Sequence, residues 1–120
     1  VVAPGISGGV TSLGIAASAL GALAVGVLAF LLGLGNGSLV PIATLAGLTG
    51  SVADSYLGAT IQERRFCPAC GLATEQRVHR LCGSTTVRDS GIPGIDNDAV
   101  NLLAIVAASA AAVVLSRVVF

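Results

Sequence analysis

Charge is scarce in this chain. Only 10% of its 120 residues are Asp, Glu, Lys or Arg, against about 25% in a soluble globular domain. That excludes a water-exposed surface of ordinary composition. The six cations and six carboxylates cancel, so bulk electrostatics point to no nucleic-acid partner. Aromatic residues make up only 3%, which leaves Ala, Val, Leu, Ile and Gly as the apolar mass. There is no methionine, and the chain opens at "VVAPGISGGV". A fragment of a longer protein is the expectation. No basic run and no small-residue cleavage site precede the first apolar stretch, which argues against a signal peptide.

What is present is hydrophobic: 54% of residues, with a mean hydropathy of +0.93. Such a profile suits closely packed helices in lipid. Three long apolar segments stand out, near residues 11–34, 39–61 and 99–120. The first would span ~36 Å as a helix, enough for a hydrocarbon core of ~30 Å. Pro41 falls in the first turn of the second, where a missing N–H is tolerated. "GLGNGS" between them reads as a tight turn, so these helices should pair antiparallel. Small residues recur every four positions: Gly14, Ser18, Ala22 and Gly26, then Ala104, Ala108, Ala112 and Ser116. Such stripes let helix backbones approach closely, although an Ala-rich segment also produces them by chance.

The one long polar region, residues 62–97, holds Arg64, Arg65, Arg77, Arg80 and Arg88. By the positive-inside rule it is cytoplasmic. "GNGS" then lies outside, and the entry turn "APGISGG" lies on the cytoplasmic side. Arg117 falls near the outer end of the third span and can snorkel. The expected fold class is all-α: a polytopic cell-membrane protein with three transmembrane helices and a small Cys/His loop. The expected organisation is a helical hairpin with a Gly-rich entry over 1–61, a loop over 62–97 and a third helix over 98–120.

Asp54 is out of place in such a chain. A carboxylate at membrane depth costs ~3 kcal/mol on insertion scales. At helical spacing Ser51, Asp54, Ser55, Gly58 and Gln62 share one face. Intramembrane ionisable residues point to function; the alternative is a carboxylate bonded to a neighbouring helix for assembly. At the start of the third span, Asp96 or Asn97 should cap the helix. Asp98 and Asn101, one turn apart, add oxygen ligands just inside it. Carboxylates and amide oxygens from different helices suit Mg²⁺, which often comes bound to phosphates. Metal or phosphate work and simple capping both fit. The turn "PGISGGVT", with Gly8 and Gly9, precedes a helix and could present N–H groups to a phosphate. It lacks the Gly-Lys-Ser/Thr of a nucleotide-binding P-loop, and a flexible entry loop fits it as well.

Cys67, Cys70, His79 and Cys82 have the spacing C-x2-C-x8-H-x2-C. Three thiolates and an imidazole make a closed tetrahedral Zn²⁺ site. A disulfide is the rival, but three cysteines leave one over, and a cytoplasmic loop keeps thiols reduced. With four protein ligands the zinc would be structural.

Taken in order, "PGISGGVTSLG", "AGLTGSVADSYLGATIQ", C-x2-C-G and "DNDAVNLLA" resemble the C-terminal half of the transmembrane protein 19 family. Its members are the domain of unknown function 92 integral membrane proteins. The resemblance covers nearly the whole chain. It places the family's motif positions on Gly50, Asp54, Ser55, Gly58, Gln62, Asn97, Asp98 and Asn101. The cysteines are not general to the family, so zinc would be a subgroup feature. A plant plastid member is a phytyl-phosphate kinase. The resemblance therefore implies phosphoryl transfer from a nucleoside triphosphate to a prenyl monophosphate. Asp54, Asp98, Asn97 and Asn101 would be catalytic, with Mg²⁺. Ser51, Ser55, Gly58, Gln62, Gly8 and Gly9 would line the substrate site. The resemblance also implies a missing N-terminal half; the expected partners are membrane lipid, a prenyl phosphate, a nucleotide and that N-terminal half of the same chain, and the isolated fragment is expected to be inactive. A transporter with Asp54 on an ion path, and a membrane assembly protein that uses its zinc loop, are the alternatives. Polar residues gathered near one membrane face favour the interfacial enzyme.

Overall fold

The computed structural model describes residues 8–119. Residues 4–7 of the Gly-rich entry turn lie outside the described residues. Three helices and three strands follow in chain order: α1 (Ser12–Leu31), α2 (Leu39–Thr60), β1 (Arg64–Cys67), β2 (Leu72–Thr74), β3 (Val87–Ser90) and α3 (Asn97–Val119). The chain divides into two compact units, one of residues 10–54 with 103–119, the other of residues 8–9 with 55–102.

The first unit is helical. Thr11 begins α1, with an extended backbone and a hydroxyl oxygen that accepts the Gly14 N–H at 3.0 Å. That satisfies one of the donors left open at a helix start. α1 ends where Gly33 turns to φ +71°. Leu34 N–H then reaches the Ala29 carbonyl at 3.1 Å, and Gly33 N–H the Phe30 carbonyl at 3.0 Å. This closure needs a left-handed residue, which glycine supplies without a Cβ clash. On α2, the hydroxyls of Thr44 and Thr49 donate to the carbonyls of Val40 and Leu45. These polar groups are thus satisfied within the helix and need no water.

α1 and α2 pair antiparallel through small residues. Ser18 Oγ and Ser51 Oγ are 2.9 Å apart. A Cβ on Gly47 would lie 2.6 Å from the Ala22 Cβ, and one on Gly26 would lie 3.0 Å from Val40 Cα and 3.1 Å from the Ala43 Cβ. These contacts share one register, since each four-residue step up α1 is a four-residue step down α2. The stripe of small residues on α1 is therefore a packing seam. On α3, Ala104 and Ala108 do the same against Gly50, whose Cβ would stand 2.9 Å from the Ala108 Cβ. Large apolar side chains point away from these seams: Leu13, Leu20 and Leu31 are 66–80% exposed. Hydrocarbon accommodates such a surface, and association there rests on close packing.

Among the described residues, α1 and α3 are long and apolar enough to cross a membrane, each with a mean hydropathy of 2.2. α2 has 22 residues, but Asp54 and its hydroxyl and Gly residues keep it out of that class.

The second unit corrects the all-α expectation. Residues 62–97 build a three-stranded antiparallel sheet in the order β2-β1-β3. Cys67 pairs with Leu72 and Arg65 with Thr74 across one ladder, and Phe66 with Val87 across the other. The reason is local. The segment has no helical apolar period, and Gly71, Gly83, Gly91 and Gly94 all take positive φ, which ends helices and makes turns. Gly91 is the tightest case: a Cβ there would lie 2.0 Å from the Gln62 carbonyl oxygen. Gln62 is also corrected. α2 stops at Thr60, so Gln62 lies beyond its end and is buried, with its N–H on the Leu57 carbonyl at 3.2 Å. Arg64 reaches back to the Gly58 and Ala59 carbonyls, placing a cation at the negative end of α2.

Candidate metal centre and polar groove

The sheet carries two turns of the same design. In one, Cys67 ends β1, Cys70 follows, and Gly71 N–H bonds back to the Cys67 carbonyl at 2.9 Å. In the other, His79 is followed by Cys82, and Gly83 N–H bonds back to the His79 carbonyl at 2.8 Å. Gly71 and Gly83 share φ +68°. Each turn offers two ligands three residues apart and then a glycine that reverses the chain. "CPACG" and "HRLCG" are thus one motif used twice.

The turns bring the four ligands together. The ligand atoms of Cys67, Cys70, His79 and Cys82 all lie within 4.8 Å of one another. Cys67 Sγ is 3.5 Å from Cys82 Sγ, and His79 Nδ1 is 3.3 Å from Cys82 Sγ. A tetrahedral ion with bonds of ~2.3 Å to sulfur separates its ligands by about 3.7 Å, so the spacing fits. All three cysteines are free thiols. Cys67 and His79 are buried, whereas Cys70 and Cys82 face out. The Cys82 thiol is lowered to about 6, first by the Ser84 side chain and then by the Ser84 backbone, with Cys70 and His79 adding to it. The Cys70 thiol is pushed up to about 12, first by its hydrogen bond to Cys82 and next by desolvation. Without an ion the two thiols thus share one negative charge, with Cys82 the thiolate and Cys70 its hydrogen-bonding thiol. The cluster is a set of side chains that could hold a metal ion.

A polar network braces the sheet beside it. The Thr86 hydroxyl donates to the Gln76 carbonyl at 2.6 Å and accepts from Arg65 Nε at 2.8 Å. Arg65 also donates to the Thr86 carbonyl and pairs with Glu63. Glu63 in turn accepts the Gly94 N–H at 2.8 Å. That bond is the first cause holding its carboxyl below the usual value, with Arg65 the second.

In the same unit lies an open cavity of about 750 Å³. Its walls are residues 73–76 at the end of β2 and just beyond it, His79 and Arg80 of the second turn, and residues 96–98 at the start of α3. Asp96 is the helix cap, its carboxylate accepting the Ala99 N–H at 3.0 Å. Asn97 and Asp98 are exposed on the groove, and Asn101 is exposed on the next turn.

The other predicted positions have settled places. Ser51 is engaged with Ser18 in the α1–α2 seam. Asp54 and Ser55 are half-buried and Gly58 is buried. Asp54 belongs to the helical unit and Asp98 to the sheet unit. Gly8, at φ +90°, lies against Ala59, where a Cβ would come within 2.5 Å of the Ala59 nitrogen; Gly9 is exposed. Reading the sequence missed Arg80 and Gln76 as groove residues and Thr86 as the centre of a network. The second C-G pair, Cys82-Gly83, was the available signal: it repeats the first turn and so predicts a second reversal, with His79 and Arg80 placed on it.

The family model for integral membrane protein DUF92 matches residues 1–109. Protein PGR of Arabidopsis thaliana is 34% identical in an alignment 119 positions long that covers 90% of this chain and 40% of that protein. The chain therefore spans about 40% of the length of this curated relative. No solved structure matches it.

Proposed function

The chain belongs to the DUF92 family of integral membrane proteins, and from that premise we propose that it is part of a prenyl-phosphate kinase. The reaction moves the γ-phosphoryl group of a nucleoside triphosphate onto an oxygen of a lipid monophosphate. The new P–O bond gives the lipid diphosphate, and the broken one leaves the nucleoside diphosphate. One observation carries this reading. α3 starts in a polar groove with Asn97 and Asp98, opposite Arg80, and continues as an apolar helix with a mean hydropathy of 2.2. A lipid phosphate needs both, hydrocarbon for its tail and a charged site at the membrane face for its head.

In this proposal α2 also crosses the membrane, making three spans, the protein sits in the cell membrane, and residues 62–97 face the cytoplasm. Asp98 would offer a carboxylate to Mg²⁺ at the groove, and Asp54 is the second catalytic carboxylate of the proposal; the ion would supply charge neutralisation for the phosphoryl oxygens. Asn97 and Asn101 orient oxygens through their amides. Ser51, Ser55, Gly58, Gln62, Gly8 and Gly9 border the substrate. Cys67, Cys70, His79 and Cys82 hold a structural Zn²⁺, for which a three-thiolate, one-imidazole donor set is typical.

The test uses the full-length protein in detergent, with prenyl monophosphates of several chain lengths and each nucleoside triphosphate. Mg²⁺-dependent formation of a lipid diphosphate is the expected result. No diphosphate from any pair, with folded and metal-loaded protein, overturns the kinase reading.

A further inference from the structure

The sheet unit has an unusual interior. Between residues 62 and 97 the buried side chains are Gln62, Cys67, His79 and Thr86. No aliphatic or aromatic side chain of the segment is buried. Phe66, Leu72, Val78, Leu81, Val87 and Ile92 are 39–80% exposed. Ordering a chain costs conformational entropy at every residue, and apolar burial normally offsets it. Here the segment itself supplies almost none of it, and Val100 of α3 is the one fully buried aliphatic side chain among the described residues of the unit. The Thr86–Arg65–Glu63 network adds hydrogen bonds, but these replace bonds to water and contribute little net driving force. What remains at the centre is the Cys/His cluster.

The cluster also brackets the groove. Residues 74–76, 79 and 80 of the groove wall all fall between Cys70 and Cys82. Short pairings hold that segment in place: β2 against β1, and the single bridge of Val78 to Thr85. Its two ends are cysteines of the cluster, and His79 belongs to both the cluster and the groove wall.

We propose that a metal bound by Cys67, Cys70, His79 and Cys82 is the core on which residues 62–97 fold, and that the groove takes a phosphate ligand only in the metal-loaded protein. The ligand class rests on the groove being the phosphate site proposed above. Metal binding is then folding free energy for this unit, and zinc supply sets how much of the protein has a formed groove. Arg80 is held in the wall by the turn that His79 and Cys82 anchor. The acidic side, Asp96 to Asp98, stands on α3. The wall opposite carries Glu75 as well as Arg80; losing the metal therefore displaces the one Arg or Lys of the groove lining and leaves Asp96 and Asp98 in place on α3, so a polyanion is no longer held.

The experiment uses the full-length protein in detergent, zinc-loaded, after zinc chelation, and as Cys70→Ser and His79→Cys. Zinc content, trypsin cleavage at Arg77 and Arg80, and affinity for inorganic tripolyphosphate with Mg²⁺ are measured, with helical circular dichroism as the control. The zinc-loaded protein is expected to resist cleavage and to bind tripolyphosphate. Chelated protein and Cys70→Ser should be cut at least tenfold faster and bind at least tenfold more weakly, with helicity retained. His79→Cys, a four-thiolate shell, should recover zinc and protease resistance. Zinc-free protein with wild-type resistance overturns the metal as core. Tripolyphosphate affinity that is undetectable with zinc, or unchanged by its removal, overturns the gated groove. Zinc-dependent protection and binding without any phosphoryl transfer would sink the kinase reading and leave this inference standing.

Discussion

Gly47 of α2 faces Ala22 of α1 so closely that a Cβ on Gly47 would stand 2.6 Å from the Ala22 Cβ. Real carbon atoms do not approach that far, so any side chain at residue 47 pushes the helices apart. The prediction is that Gly47→Val destabilises the protein by about 1–3 kcal/mol through overpacking. Gly21→Val is the control, since a Cβ there meets nothing within 4 Å. Thermal unfolding in detergent measures both. Equal stability of the two variants would remove the seam as the basis of pairing.

The topology follows from the arginines. Residues 62–97 are proposed to be cytoplasmic, and the α1–α2 turn is proposed to lie outside. Gly37 sits in that turn with open space around it. An impermeant thiol reagent applied to intact cells should label Gly37→Cys and leave the wild type, with its inward-facing cysteines, unlabelled. Wild-type labelling in intact cells would reverse the orientation.

Acid should loosen the sheet unit through Glu63. Its carboxyl is lowered from the ordinary 4.5, first by the Gly94 N–H and then by Arg65. A lowered carboxyl contributes stability that is fully present above 4.5 and is lost as pH falls through the folded value. Proteolysis within residues 62–97 should therefore accelerate below about pH 4.5 in the wild type. Glu63→Gln should flatten that dependence and show weaker protection at neutral pH. A wild-type profile that is level through this range would remove Glu63 from the account.

Asp54 and Asp98 are expected to fail differently from structural residues. In the full-length protein, Asp54→Asn and Asp98→Asn should each lower lipid-phosphate phosphorylation by on the order of 10²-fold or more, as loss of a charge-stabilising group does. Neither should reduce folding, because with α2 as the proposed span Asp54→Asn relieves a costly carboxylate at membrane depth, and Asp96 rather than Asp98 caps α3. Specific activity per folded molecule is the measurement. Wild-type specific activity in Asp54→Asn would end its catalytic assignment.

Much of this protein is determined locally and so is legible in sequence. α1, α2 and α3 form close to the bounds that apolar length and caps predict. A helix satisfies its own backbone, and Thr11, Gly33 and Asp96 mark its ends by residue type. The metal cluster is legible for the same reason, because ligand type and spacing are properties of short turns. The tertiary structure alone decided that residues 62–97 form a sheet: strands of three and four residues leave too little period to read, and pairing joins residues far apart in the chain. It also decided that Ser51 serves the α1–α2 seam through Ser18, that Gln62 lies past the end of α2, and that Arg80 joins Asn97 and Asp98 around one groove. Each of these depends on which distant backbone comes near. Close approach depends on small residues at many positions at once, and no single stretch of sequence records it.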